Sequence, residues 1–249
     1  MDVRGKNVLV TGGAKGIGKA LVQQLLSEGA TVGVFDLDAD ALAALAAEHP
    51  GVHTALCDVG DPAQVKAEID RFVAAHQRIH VLVNNAGFVF NSPLISLGKG
   101  GFVKHDIAMW DKVIRTDVSA VFYMTVNAVE NMMATRTRGV VINISSIAAS
   151  GNAGQGAYSA AKAGVNALTV AWAKELGPMK IRFVAIAPGF TKTDTTVNAL
   201  EENVLDSWVK QTPARRMGAP EEIADTILFA IRNDFVNGTV LEVNGGLRI

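Results

Sequence analysis

The sequence predicts an α/β protein: a doubly wound parallel sheet with helices on both faces. Two observations carry that prediction. Runs rich in Val, Ile and Leu recur near residues 6–11, 31–36, 52–57, 79–84, 139–145, 180–187 and 238–243, with longer helical patterns between them. Unbroken apolar runs suit strands covered on both faces, and strand–helix alternation favours parallel pairing through helical crossovers. With 249 residues, 49% of them hydrophobic, the chain has enough apolar material for one such sheet. It shows no internal repeat, low-complexity tract or Pro/Ser-rich linker, so residues 1–249 are expected to form a single domain.

The first strand candidate, Val8-Leu9-Val10, runs into Thr11-Gly12-Gly13-Ala14-Lys15-Gly16-Ile17-Gly18, and a helical stretch opens at Lys19-Ala20-Leu21-Val22. A glycine turn between a strand and a helix N-terminus lets the backbone approach phosphates, whose charge the free N–H groups and the helix dipole favour. Gly12, Lys15, Gly16, Ile17 and Gly18 are therefore candidates for a dinucleotide pyrophosphate site. The second strand, Thr31-Val32-Gly33-Val34-Phe35, ends on Asp36. An acid about 20 residues beyond the glycines can accept hydrogen bonds from an adenosine ribose diol. Its charge repels the 2′-phosphate of NADP, whereas Lys15 pulls more weakly the other way, so NAD is expected over NADP.

The third strand candidate ends at Cys57, a buried small hydrophobe by position and the only cysteine in the chain. A lone cysteine excludes an intramolecular disulfide and suits a reducing cytoplasm. Ala63–Ala75 reads as a helix, and the fourth strand closes on Asn84-Asn85-Ala86-Gly87. Asn91–His105, with Gly98, Gly100 and Gly101, reads as a loop beside the sheet's carboxyl edge. Ile107–Met133 then reads as one long helix. The fifth strand ends in Asn143-Ile144-Ser145-Ser146, the next helix covers Ala157–Leu176, and the sixth strand reaches the turn at Pro188-Gly189. Segment 191–212 breaks the pattern and is a candidate substrate lid, since ligands in such sheets lie outside the strands' carboxyl ends.

Tyr158-Ser159-Ala160-Ala161-Lys162 places a phenol and an ammonium at i and i+4, on one helix face. A phenol keeps its proton to about pH 10 unless a nearby cation favours the phenolate. Tyr158 can then exchange a proton with a substrate hydroxyl or carbonyl while a hydride moves to or from a nicotinamide. The serines before it offer a hydroxyl for the substrate oxygen.

With these residues in view, the chain resembles the short-chain dehydrogenase/reductase family, in its compact single-domain branch. The resemblance spans nearly the whole chain: the glycine turn, Asp58-Val59, Asn84-Asn85-Ala86-Gly87, the Ser–Tyr–Lys set, Pro188-Gly189 with Thr193, and Val243-Asn244-Gly245-Gly246. It implies a Rossmann-type sheet, a nicotinamide cofactor and interconversion of an alcohol and a carbonyl. It also implies that Asp58 contacts adenine and that Asn85, Ala86 and Gly87 line the cofactor. Lys162 is implied to hold the nicotinamide ribose as well, while Ile186, Pro188, Gly189 and Thr193 flank the nicotinamide, with Thr193 near the carboxamide. A homotetramer is implied too.

Two departures from the family stand out. Spacing from Tyr158 selects Ser145 as the catalytic serine, whereas strand register selects Ser146. Loops absorb a deletion more easily than strands, so Ser146 is preferred and Ser145 stays open. Asp117 stands where the family has an asparagine that supports a proton relay through water, and an ionised aspartate accepts hydrogen bonds but donates none. It is counted with the catalytic set as a water acceptor. A nicotinamide-binding sensor without turnover is the rival reading, and Asp117 is its opening.

The expected reaction is therefore NAD(H)-dependent exchange between a secondary alcohol and a ketone. Phe88, Phe90, Leu94, Ile95, Phe102, Phe190, Val197, Leu200 and Trp208 fall in segments near the expected pocket mouth. They point to a fairly apolar substrate, hydroxyacyl or steroid-like, with Phe190 and Trp208 as its contacts. Lys+Arg 23 against Asp+Glu 24, a net charge of -1, gives nucleic-acid binding little support. The start, Met1-Asp2-Val3-Arg4-Gly5-Lys6, enters a strand at once, and no apolar run approaches the ~18 residues of a membrane span, so a cytoplasmic protein is expected. His76 and His80 have helical metal-ligand spacing without a third ligand, so no metal is expected.

Overall fold

The computed structural model of the chain describes residues 1–193 and 202–249. Seven strands form one sheet: β1 (Asn7–Thr11), β2 (Thr31–Asp36), β3 (His53–Leu56), β4 (Val81–Asn84), β7 (Val140–Ile144), β8 (Arg182–Pro188) and β9 (Thr239–Val243). Their order is β3-β2-β1-β4-β7-β8-β9, and every pairing is parallel. This is the expected Rossmann-type architecture. The order reverses beside β1, where β4 lies opposite β2, and that switch point opens a crevice at the carboxyl ends.

Alternation along each strand divides the core in two. Val8, Val10, Val32, Val34, Val81, Val83 and Ile142 face α1 (Gly16–Ser27), α2 (Ala39–Glu48) and the last helix of the chain. Leu9, Phe35, Leu82, Val141 and Phe183 face α3 (Pro62–His76), α5 (Ala120–Ala134) and α6 (Gly156–Leu176). Each fully buried Leu, Val or Phe contributes roughly 1.5–3 kcal/mol of transfer free energy. Helix starts follow from local chemistry. Asp38 caps α2 by accepting from the Ala41 N–H, and Asp61 caps α3 by accepting from Ala63 and Gln64 ahead of Pro62.

Two expectations are corrected. Ile107–Met133 is not one regular helix. α4 (Ile107–Ile114) passes through a wide, π-type turn at Arg115–Ser119 into α5. Such turns arise where a side chain is wanted off the regular helical phase, and the residue presented here is Asp117. Nor is Asn91–His105 an open loop. β5 (Ile95–Gly98) and β6 (Gly101–Lys104) pair antiparallel, with Gly98 opposite Gly101 across a Lys99-Gly100 turn. The glycines that signal a loop are the hairpin's turn, and the flanking Ile95, Leu97, Phe102 and Val103 supply its strands.

α7 (Glu202–Gln211) and α8 (Pro220–Arg232) complete the chain. Residues 194–201 of the candidate lid, including Val197 and Leu200, lie outside the described residues.

Candidate active site

The carboxyl ends of β1 and β4 are tied together where the glycine turn begins. The Thr11 hydroxyl accepts from the N–H groups of Asn85 and Ala86, each at 3.0 Å. The Asn85 amide donates back to the carbonyls of Thr11 (3.0 Å) and Gly12 (2.8 Å). The turn is closed tightly enough to require glycine. Gly12 has φ +63°, and a Cβ there would lie 2.9 Å from Ala86 Cα; a Cβ on Gly18 would lie 2.2 Å from the Gly12 carbonyl oxygen. Gly16, at φ +52°, sits under Thr193, whose Cγ2 would be 3.3 Å from an added Cβ. No side chain caps α1 at Lys15, and its first turn holds no acid. Among the described residues no side chain accepts from its leading amides, which fits a pyrophosphate.

Asp36 ends β2 with its carboxylate fixed: Oδ2 accepts from the Ala14 N–H at 3.0 Å and Oδ1 from the Asp38 N–H at 3.1 Å. Lys15 pairs with Asp38. Asp58 accepts from the Gly60 N–H at 2.9 Å and meets Arg115 at 3.3 Å, an ion pair that joins the β3 end to the wide turn. Val59 is buried in the core, so only its backbone can reach a ligand.

Tyr158 and Lys162 line one cleft of about 550 Å³ together with Ile17, Asn85, Gly87, Ser145, Ser146, Pro188, Gly189, Phe190, Thr193 and Trp208. Lys162 is buried, its Nζ 5.4 Å from the Tyr158 ring centre. The ammonium donates to the Ile144 carbonyl at 3.0 Å and meets Asp117 Oδ2 at 3.0 Å. Asp117 is fully buried, and its Oδ1 accepts from the Phe88 N–H at 2.7 Å. Burial is the largest influence and works against the lysine's charge, yet the Asp117 carboxylate and Tyr158 together outweigh it and hold the Lys162 pKa above the ordinary value. Gly87 lies against this pair, since a Cβ there would be 3.1 Å from Asp117 Oδ2.

The two serines differ. Ser145 is 2% exposed, and its hydroxyl donates to the Lys162 carbonyl at 3.4 Å. Ser146 is half-buried; its oxygen accepts from the Ala148 N–H at 3.1 Å and starts a single 3-10 turn at Ile147–Ser150. Its own proton remains available to a ligand in the cleft. Phe190 and Trp208 stack on each other, ring centres 4.4 Å apart, at the cleft's edge. Gly189 packs on Asn244, with only 2.8 Å between an added Cβ and Asn244 Cα, which seats the Val243–Gly246 motif behind it.

Three participants escape a sequence reading. Thr11 braces the turn, Arg115 holds Asp58, and Gln155 donates to Asn91 at 2.8 Å across the cleft rim. Each contact joins residues distant in sequence, and none has a local signature. His80 accepts the Asn7 N–H on its Nδ1, and among the described residues no three His, Cys, Asp or Glu gather to hold a metal.

A family model described as enoyl-(acyl carrier protein) reductase matches residues 12–248. The chain belongs to the short-chain dehydrogenase/reductase family. It is 38% identical over 256 residues to the 3-oxoacyl-[acyl-carrier-protein] reductase FabG of Thermotoga maritima, covering 100% of both chains. It is 32% identical to the protein of that name from Escherichia coli, covering 99% of each. A (3R)-3-hydroxyacyl-CoA dehydrogenase of Canis lupus familiaris is 35% identical, over 99% of this chain and 98% of its own. As a short-chain dehydrogenase/reductase the protein is an oxidoreductase that uses a nicotinamide cofactor.

Proposed function

We propose that the protein interconverts a 3-hydroxyacyl and a 3-oxoacyl thioester with NAD(H) as cofactor. The observation that carries this reading is the Tyr158–Lys162–Asp117 array at the end of a cleft that begins on the glycine turn. The bound nicotinamide supplies the hydride acceptor in one direction and the hydride donor in the other. The chain's own residues handle the proton and the geometry. Ser146 donates a hydrogen bond to the substrate oxygen. Tyr158 takes the proton of the substrate hydroxyl in oxidation and returns it to the carbonyl oxygen in reduction. Lys162 acts through its charge, favouring phenolate on Tyr158, and Asp117 is a positioning residue that holds that charge in place.

Gly12, Gly16 and Gly18 with Ile17 and the α1 amides would hold the pyrophosphate. Asp36 would take the ribose diol, its two oxygens already oriented by backbone N–H groups. Its charge supports NAD over NADP, and the engagement of Lys15 by Asp38 weakens the contrary pull. Asp58 and Val59 would border the adenine; Asn85, Ala86, Gly87, Pro188, Gly189 and Thr193 would border the rest of the cofactor. Phe190 and Trp208 supply an apolar wall for an acyl chain. The relatives' names support the substrate class. The same reading takes the chain as one domain working as a homo-oligomer, a tetramer by family resemblance, in the cytoplasm. No helix among the described residues is long and apolar enough to cross a membrane.

The test is NADH oxidation followed by absorbance with a 3-oxoacyl thioester. Tyr158→Phe should abolish turnover and leave NADH binding nearly intact, because the ring stays and the proton donor goes. Wild-type-like turnover in this variant, or no turnover by the unmodified protein on any 3-oxoacyl thioester, defeats the reading.

A further inference from the structure

The amino ends of four neighbouring strands, β1, β4, β7 and β8, form the floor of a second cavity of about 830 Å³. It lies at the opposite end of the sheet from the candidate active site. Each connector entering these strands brings a cation: Lys6 before β1, Arg78 before β4, Arg136 and Arg138 before β7, and Lys180 before β8. Among the described residues none of these five forms an ion pair. Among the described lining residues the acid is Asp234, and Arg182 already meets it at 3.3 Å. Arg182 itself is buried and donates to the carbonyls of Ala230, Ile231 and Val236, so it braces the wall.

In a chain of net charge -1, five uncompensated cations around one cavity are a marked concentration. Its effect registers on His80, which lines the same cavity. Burial first, then the charges of Lys6 and Arg78, push its pKa down to about 4. Two of the cations also sit on unfavourable backbone, Arg136 at φ 52° and Lys180 at φ 64°, in the region where glycine is the usual residue. The carboxyl ends of α3, α5 and α6 favour some positive charge here. They explain neither the cavity nor Phe235, whose ring stands 99% exposed among its lining residues. An open aromatic face beside several cations is a platform for a flat base carrying phosphates.

We propose that this basin is a second ligand site, for a nucleoside polyphosphate: the phosphates among Arg136, Arg138, Lys180, Arg78 and Lys6, the base on Phe235. A cavity of this size accommodates such a ligand.

Calorimetric titration tests it with protein saturated in NADH, so that the cleft is blocked, using ATP and inorganic tripolyphosphate as probes. Both should bind, ATP more tightly, and both should weaken as salt rises. The double variant R136G/K180G removes two cations at positions whose φ values suit glycine, so it should fold with an unchanged or higher Tm. It should weaken both probes by about tenfold or more. Phe235→Ala should weaken ATP and leave tripolyphosphate unchanged. The proposal is overturned if neither probe binds, if R136G/K180G binds both as before, or if poly-glutamate binds while the two small anions do not.

Discussion

Replacing Asp117 with asparagine tests the buried pair at the centre of the site. The substitution keeps size, shape and the hydrogen bond from the Phe88 N–H, and removes only the charge opposite Lys162. Both side chains are almost wholly out of solvent, 4% exposed for the lysine and 0% for the aspartate, so water cannot take over the pairing. Breaking a buried pair from one side costs about 3–5 kcal/mol, and the retained Phe88 contact places this case near the lower end. In a chain of this length about 3 kcal/mol corresponds to a Tm lower by about 6–12 °C. The pH dependence gives a second, independent signature. In the parent the Lys162 pKa is raised above the ordinary 10.5, so its contribution is fully present below that value and is lost only as pH rises through the folded value. Without Asp117, burial prevails and lowers the lysine's pKa. The unfolded chain then binds more protons than the folded one, and stability rises with pH. The deficit should therefore be larger at about pH 6 than at about pH 9 when both proteins are melted by circular dichroism. A loss under about 2 °C, equal at both pH values, would show that the pair carries no such energy.

Three further outcomes follow from the same geometry. Ser146→Ala should reduce kcat more than Ser145→Ala, because the Ser146 proton is available to the cleft while Ser145 donates to the Lys162 carbonyl; the reverse order in steady-state assays would assign the role to Ser145. The unmodified protein should prefer NADH to NADPH in kcat/KM, and Asp36→Ala should narrow that ratio by about tenfold or more; a preference for NADPH in the parent would show that the ribose argument fails. Cys57, its thiol pushed up to about 12 by burial and then by nearby Glu68, Asp58 and Asp61, should resist iodoacetamide in the folded protein at about pH 8 and react promptly once unfolded, whereas rapid labelling of the native chain would contradict its burial.

The sheet was legible because its strands are continuous apolar runs, and each expected run appears within a residue or two of its place. The glycine turn and Asp36 were legible because strand, turn and helix follow one another without interruption. The sequence places Asp117 with the catalytic set, but neither its pairing with Lys162 nor the wide turn that brings it there is legible in it. A regular helix through 107–133 has no local reason to widen at Arg115–Ser119, and the cause is tertiary: the Phe88 N–H and the Lys162 ammonium both lie at that level. The hairpin at 95–104 is hidden in the sequence for the opposite reason. Glycines dominate any count over Asn91–His105, while the strand signal rests on four apolar residues left largely exposed, without the buried face that makes a strand recognisable. The Thr11–Asn85 brace joins positions 74 apart and leaves no trace in either neighbourhood.

The wide turn also limits how this stretch of chain can change length. Losing one residue from Arg115–Ser119 would restore a regular helix and draw Asp117 off the phase that presents it to the lysine, whereas one residue lost from a regular turn of α5 would rotate everything beyond it by about 100°. Met124, Ala128 and Met132, now part of the stripe of α5 that covers the sheet, would swing off their partners. An insertion elsewhere in α4 or α5 carries the same penalty, whereas the neighbouring Lys99-Gly100 turn can lengthen without moving a buried atom. Among related chains, length variation should therefore collect in the hairpin and vanish across the twenty-eight-residue run from Ile107 to Ala134.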